Sequence, residues 1–206
     1  MSIESYNGGA VMAMAGKECL AVVCDKRLGA RLTTIGMNHS KIYEINPYLY
    51  VCLPGLATDA LTVYQRLRFR VNMYELKESR KISPQVLCSM LSNLLYEHRF
   101  GNYFIGGVVA GLDPATGKTY LYAMDCLGAI TIGTEGFVTG GHCEEQLYGT
   151  CEALYRPDLG PEELLEVASQ AFLSACDRDA GSGWGAFVYI VTKNKVELKS
   201  LKARMD

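Results

Sequence analysis

Three charged side chains occupy positions where a folded chain could use them for chemistry. Asp25 ends an apolar run, Cys19–Asp25, and Lys41 begins an alternating run after a polar stretch. Asp179 opens a glycine-rich segment that also contains Ser182. A strand that ends in a carboxylate often delivers that carboxylate to a site, where it can hold a cation or shift the pKa of a neighbour. Taken singly, such residues are more often members of ordinary ion pairs than functional groups.

The cysteines and histidines do not form a metal-binding pattern. Eight cysteines occur without any C-x-x-C pair, and the three histidines are far apart in sequence, unlike zinc ligands. Most of the cysteines lie inside apolar runs, so we expect reduced, buried thiols rather than disulfide bonds. The glycines at 181, 183 and 185 precede a predicted strand and do not open a helix, which argues against a phosphate-binding loop.

The composition indicates one globular domain over residues 1–206. Hydrophobic residues make up 49% of the chain and charged residues 20%, which excludes a disordered chain. The net charge of −2 provides no basic surface for nucleic acid or for an anionic membrane. No apolar run reaches the roughly 18 residues of a membrane span. The first residues lack the basic and apolar regions of a secretory signal, so none is expected.

Apolar periodicity predicts strands that alternate with two pairs of helices. The predicted helices cover approximately residues 56–78, 83–101, 144–155 and 161–179. Residues at helical spacing in the first helix are Leu61, Tyr64, Leu67, Arg68 and Val71. The predicted strand at Tyr48–Leu53 is too apolar to have a solvent face, so it should lie between two layers. The order predicts two stacked sheets covered by helices on both outer faces.

Segments along essentially the whole chain resemble the proteasome beta-type subunits, which are N-terminal-nucleophile hydrolases. The segments typical of the family are residues 43–49, 55–59, 95–97 and 178–183. Further segments resemble one subunit type of eukaryotes, namely residues 5–11, 67–70, 74–78 and 201–206. The resemblance implies an α+β fold, a four-layer αββα sandwich with two antiparallel sheets between helix pairs.

In active members of the family, cleavage after a glycine makes a threonine the first residue of the chain. The hydroxyl of this threonine is the nucleophile, and its own amine acts as the base. By resemblance, Lys41 corresponds to the lysine that lowers the proton affinity of this hydroxyl. Asp25 corresponds to the aspartate that holds the lysine, and Gly55 to the glycine whose N–H helps stabilise the oxyanion. Asp179 and Ser182 correspond to a pair that braces the nucleophile.

The nucleophile position itself falls on Gly9, behind the cleavage-site glycine Gly8, and no gap separates this match from Asp25. Glycine has neither a hydroxyl nor a thiol, so the resemblance implies a non-catalytic subunit. A further serine of the family falls near His142 and is also missing. We call the remaining set the vestigial frame: Gly9, Asp25, Lys41, Gly55, Asp179 and Ser182. We expect that Asp25, Lys41 and Asp179 persist in it as one buried charge network.

Two other functions remain open. The first is an active amidohydrolase with an unorthodox nucleophile. Ser2 and Ser5 lack the preceding glycine, and Thr33 and Thr34 lie within the chain without a free amine. The second is a free-standing small-molecule enzyme with a Lys–Asp site.

The resemblance also implies partners and a cellular role. We expect a subunit of the 20S core particle that contacts beta subunits of the same and the opposite ring, alpha-ring subunits and unfolded polypeptide, in ubiquitin-dependent degradation. Nucleic acid and membranes are not expected as partners. The cytoplasm and the nucleus are the expected locations. The short sequence before Gly9 agrees, since active subunits usually carry a propeptide. The carboxylate of Asp206 could reach the opposite ring.

The resemblance suggests two further sites. Asp125 and Cys126 could wall the specificity pocket of an adjacent catalytic subunit, although an ordinary exposed turn is the equal alternative. No cofactor is expected to be required, and no metal ligand is certain. Backbone carbonyls around the Asp179–Ser182 loop could hold a structural cation.

Overall fold

The computed structural model describes residues 3–205, in which twelve strands and four helices occur. The strands are β1 (Ala10–Gly16), β2 (Cys19–Asp25), β3 (Leu28–Ala30), β4 (Thr33–Gly36), β5 (Ile42–Asn46), β6 (Leu49–Cys52), β7 (Gly107–Leu112), β8 (Thr119–Met124), β9 (Ile130–Ile132), β10 (Phe137–Gly141), β11 (Ala186–Thr192) and β12 (Val196–Leu201). The helices are α1 (Ala57–Glu78), α2 (Pro84–Tyr96), α3 (Glu144–Leu154) and α4 (Pro161–Cys176).

Two five-stranded antiparallel sheets form the centre of the molecule. Their strand orders are β10-β1-β2-β11-β12 and β5-β6-β7-β8-β9, and β3 and β4 form a separate hairpin. In β1, Val11 and Ala13 pack in the cluster between the sheets, whereas Met12 and Met14 pack in the cluster with α3 and α4. Both faces of this strand are therefore buried, as the αββα prediction requires.

The two helix pairs cover opposite outer faces. Residues of α1 and α2 form one cluster with β5, β6 and β7, and residues of α3 and α4 form another with β1, β2 and β11. All four residues of β6 are buried, which confirms that the apolar strand lies between layers. The predicted four-layer sandwich is thus confirmed. None of the helices within residues 3–205 is both long and apolar enough to cross a bilayer.

The first helix differs from its prediction in the face that it buries. Its buried residues are Ala60, Val63, Leu67 and Val71. Leu61, which we predicted on this face, is 51% exposed. The helix turns the small Ala60 toward the sheet, so Leu61, about 100° further around the helix axis, falls outside the buried face. The prediction for Leu61 was therefore wrong.

The other helices begin as predicted and end slightly earlier. The Ser83 hydroxyl accepts the Val86 N–H at the start of α2, and Pro84 takes the first helical position. α2 ends at Tyr96, and the chain reaches Gly101 through turns. α4 ends at Cys176, before the glycine-rich segment. Seven of the eight cysteines are buried and Cys126 is half-buried, as expected for thiols within apolar runs.

Candidate functional site

Asp25 and Lys41 form a buried ion pair. Lys41 Nζ lies 2.7 Å from Asp25 Oδ1, and the two side chains are 6% and 0% exposed. The ammonium group also donates to the backbone carbonyl of Arg27 at 2.9 Å. The carboxylate accepts hydrogen bonds from three backbone N–H groups, those of Ala10, Arg27 and Gly183. Polar partners on both sides are the condition under which a buried ion pair is tolerated.

Gly9 lies directly against this pair. A Cβ atom added at Gly9 would lie 2.9 Å from Lys41 Cδ and 3.3 Å from Nζ, and closer still to Cε. The φ angle of Gly9 is +106°, which residues with a side chain rarely adopt. Its N–H donates to the Gly181 carbonyl at 3.0 Å, and its carbonyl accepts from the His142 N–H at 2.8 Å. The position that would carry a nucleophile is therefore glycine in type and in conformation.

Asp179 belongs to a different cluster. Its Oδ1 lies 2.8 Å from His142 Nδ1 and accepts the Gly181 N–H at 3.0 Å. Its Oδ2 accepts from the Ser182 hydroxyl at 2.6 Å. The expected single network is therefore wrong, because Asp179 pairs with His142 and not with Lys41. The His142 N–H is hydrogen-bonded to the Gly9 carbonyl, and the imidazole reaches Asp179, near the position of the family serine that this chain lacks.

Arg27 is a buried cation that the sequence analysis did not assign to the site. It is 2% exposed, and its guanidinium donates to the carbonyls of Gly181 and Arg31 and to the Thr34 hydroxyl. Two of these partners are local, but Gly181 lies 154 residues away in sequence. Only the fold brings Arg27 to Gly181, so no local pattern indicates its role. The Gly181 carbonyl thus accepts from both Gly9 and Arg27.

A cleft of about 520 Å³ adjoins the site. Gly55 lines it together with His142, the residue that is hydrogen-bonded to Gly9. The structure therefore brings the predicted oxyanion glycine and the predicted nucleophile position into one region. Three carboxylates line the cleft, those of Glu4, Asp125 and Glu144. Burial raises the pKa of Glu144, and the negative charges of Glu4 and Glu145 raise it further.

Cys24, Thr33 and Thr34 are poorly placed to act as the nucleophile. Burial raises the pKa of the Cys24 thiol, which disfavours the reactive thiolate. The Thr34 hydroxyl accepts a hydrogen bond from Arg27, and within residues 3–205 neither Thr33 nor Thr34 is hydrogen-bonded to Lys41. Ser5 lines the adjoining cleft. The remaining candidate, Ser2, lies outside the described residues, as does Asp206.

Asp125 and Cys126 form a turn after β8. The Asp125 carboxylate accepts the N–H groups of Leu127 and Ala129 at 2.9 and 2.8 Å, so it stabilises the turn itself. Burial raises the pKa of the half-buried Cys126 thiol, and the negative charges of Glu4 and Asp125 add to this shift. The turn is thus ordered by its own side chain and borders the cleft through Asp125.

Comparison with known proteins assigns this chain to a family. The family model described as "Proteasome subunit" matches residues 5–191, so the chain belongs to the proteasome subunit family. It is 50% identical to "Proteasome subunit beta type-3" of Drosophila melanogaster and 48% identical to the proteins of the same name from Caenorhabditis elegans and Trypanosoma brucei brucei. Each match extends over 206 residues and covers all of both chains. The resemblance on which the site prediction depends is therefore confirmed.

Proposed function

We propose that this chain is a non-catalytic, structural beta type-3 subunit of the 20S proteasome core particle. The observation that carries the proposal is Gly9, which lies against Lys41 at the nucleophile position with no hydroxyl or thiol and a φ angle of +106°. Acyl transfer through an enzyme nucleophile requires such a group at this position. Relatives named beta type-3 over the full chain length support the choice of subunit.

The proposed role is to build the proteolytic chamber. Its partners would be beta subunits of the same and the opposite ring, subunits of the alpha ring, and unfolded polypeptide that passes through. The particle would act in ubiquitin-dependent protein degradation in the cytoplasm and the nucleus. Exposed apolar side chains on the outer face of α1 support subunit contacts, because such residues are normally covered in an assembly. They are Leu61, Phe69, Met73 and Leu76.

An active amidohydrolase with an unorthodox nucleophile is the alternative. It would need a hydroxyl or thiol beside Lys41, but the residue that lies against Lys41 at the nucleophile position is Gly9, which has neither. A free-standing Lys–Asp enzyme would need its substrate to reach the ammonium group, which is almost fully buried. Both alternatives are therefore less well supported than the structural role.

Mass spectrometry of the protein from its source tests the proposal. We expect the chain within a native particle of many different subunits, with Met1 or Ser2 as its first residue. A monodisperse monomer with catalytic activity would contradict the proposal. Cleavage behind Gly8 would show that the chain is processed as active relatives are, although the new terminus would still be glycine.

We propose that any structural cation at the Asp179–Ser182 loop is held by backbone carbonyls alone. The Asp179 carboxylate already accepts from Gly181 and Ser182 and contacts His142. Within residues 3–205, no group of three or more His, Cys, Asp or Glu side chains is arranged to hold a metal. Elemental analysis of the purified particle before and after treatment with a chelator tests this. If the Asp179→Asn variant lost the bound cation, binding by backbone carbonyls alone would be contradicted.

We also propose that the turn with Asp125 and Cys126 walls the specificity pocket of an adjacent catalytic subunit. The half-exposed position of Cys126 beside a cleft supports this placement. Asp125→Ala removes two hydrogen bonds that order the turn. We expect altered cleavage of at least one class of reporter peptide by assembled particles. Unchanged cleavage of every class of reporter peptide would contradict this placement of the turn.

A further inference from the structure

Two buried thiols lie in contact where α3 begins and α4 ends. Cys143 is the N-cap residue of α3, and Cys176 is the last residue of α4. Their side chains are hydrogen-bonded to each other and pack in the same apolar cluster, and neither forms a disulfide bond. We call these two residues the thiol pair. Two thiols in such contact are the reactants from which a disulfide forms when an oxidant removes two electrons.

Hydrogen bonds on either side of the thiol pair hold α3 against α4. Before α3, His142 Nδ1 lies 2.8 Å from Asp179 Oδ1, and the Asp179 N–H donates to the Cys176 carbonyl at 3.1 Å. Within the helices, the Thr150 hydroxyl of α3 donates to the Ala171 carbonyl of α4 at 3.0 Å. A disulfide requires two Cα atoms within about 7 Å of each other. The contacts on both sides keep the two backbones close, as this bond requires.

The two thiols of the pair are not equivalent. The hydrogen bond to Cys143 raises the pKa of the Cys176 thiol, and burial and the negative charges of Asp25 and Asp179 raise it further. Cys176 therefore keeps its proton, and the Cys143 sulfur accepts the hydrogen bond. This arrangement makes Cys143 the sulfur that attacks an oxidant and Cys176 the thiol that resolves the product.

Cys143 lies next to solvent although its own side chain is buried. Its two chain neighbours, His142 and Glu144, both line the cleft of about 520 Å³. The His142 side chain is 35% exposed, so the start of α3 borders this cleft and its solvent. A small local opening of this turn is enough to admit a molecule close to water in size, such as hydrogen peroxide.

We propose that the thiol pair is an oxidation site, at which hydrogen peroxide joins Cys143 and Cys176 by a disulfide bond. The Cys143 sulfur attacks a peroxide oxygen and the O–O bond breaks, which gives a sulfenic acid. The released hydroxide takes the Cys143 proton and leaves as water. The Cys176 sulfur then attacks the sulfenic sulfur, and the hydroxyl leaves with the Cys176 proton as a second water. Two thiols are thus oxidised to one disulfide, and one peroxide is reduced to two waters.

The disulfide would fasten the start of α3 to the end of α4 beside the contact between His142 and Asp179. A thiol reductant would reverse it by thiol–disulfide exchange. The proposal does not rest on the proposed function, because it uses neither the residue at position 9 nor a contact with another subunit.

Peptide mapping of the protein purified from its source tests the site. The protein is treated with increasing concentrations of hydrogen peroxide, and the remaining free thiols are blocked with N-ethylmaleimide under denaturing conditions. A protease that cleaves after glutamate then places the two thiols in separate peptides, residues 136–144 and 167–197, neither of which contains another cysteine. We expect these two peptides, linked to each other, as the main disulfide product. Dithiothreitol should separate them.

Two variants distinguish the thiol pair from buried cysteines in general. Cys176→Ala should abolish the linked peptides and leave a sulfenic acid on Cys143 that dimedone traps. Cys151→Ala is the matched control, because Cys151 is buried in the same cluster but its sulfur contacts the Met12 thioether at 3.1 Å. It should leave the linked peptides unchanged.

The wild-type protein decides the question by itself if a variant does not fold. The half-buried Cys126 serves as an internal standard for the peroxide treatment. If Cys143 and Cys176 both remained free for N-ethylmaleimide at peroxide concentrations that oxidise Cys126, the proposal would be overturned. Linkage of Cys143 mainly to a cysteine other than Cys176 would overturn it as well.

Discussion

The charged residues of the site are held by the chain itself. Lys41 pairs with Asp25, and Asp179 pairs with His142 and Ser182. Removal of one member of a buried ion pair leaves the other charge without compensation in a medium of low polarity. This cost explains why the lysine and the aspartate can persist beside a glycine at position 9: both side chains are part of the interior.

Lys41→Ala tests this explanation. It leaves Asp25 buried without its cation, so we expect a loss of about 3–5 kcal/mol in the free energy of unfolding. Lys81→Ala is the control, because Lys81 pairs with Glu75 on the surface with its side chain 80% exposed, and it should cost less than about 1 kcal/mol. Denaturant titration of both variants measures the difference. Equal stability of Lys41→Ala and the wild type would contradict the buried-pair account.

Part of the site could be predicted from local sequence. Asp25 and Lys41 stand at the ends of apolar runs, and this position makes a carboxylate or an ammonium group conspicuous. The partners of Arg27 and Asp179 could not be predicted in the same way. Arg27 reaches Gly181, and Asp179 reaches His142, only because the sheets bring distant segments together. Which charged residues pair with one another depends on the distances between segments in the folded chain, and apolar periodicity does not contain these distances.

Helices and strands follow from the sequence more directly than their faces do. The start of α2 is specified by Ser83 and Pro84, whose capping geometry is local. α1 was predicted within one residue of its start, but its apolar residues occur on two faces. One face packs on the sheet, and Phe69, Met73 and Leu76 lie on the other and remain exposed. Periodicity alone cannot separate a core face from a contact face.

Phe69→Glu tests whether the exposed face of α1 is a subunit contact. Phe69 is 66% exposed, so a charge there should leave the fold of the chain intact. If the face is covered in the particle, the charge would be buried without a partner, and incorporation should fall several-fold. Asn194→Glu adds the same charge to the exposed turn between β11 and β12, on a different element, and serves as the control. Incorporation of the two variants to the same extent would argue against this contact.

At the scale of the whole molecule, the packing of the sandwich does not depend on the residue at the nucleophile position. The two sheets and both helix pairs depend on apolar contacts that do not include the residue at position 9. Strands apolar on both faces predicted these layers, because such strands need cover on two sides. The same layers position Asp25, Lys41 and Gly55 around a residue that carries no reactive atom. The fold is therefore fully formed although position 9 is glycine.

The most direct test of the central claim is covalent labelling of the assembled particle with an epoxyketone probe, followed by intact-mass measurement of each subunit. The probe requires a nucleophile at the position of Gly9. We predict that this chain keeps its unmodified mass while catalytic subunits of the same particle gain the mass of the probe. A mass increase of this chain at Gly9 or at another residue of the site would contradict the account.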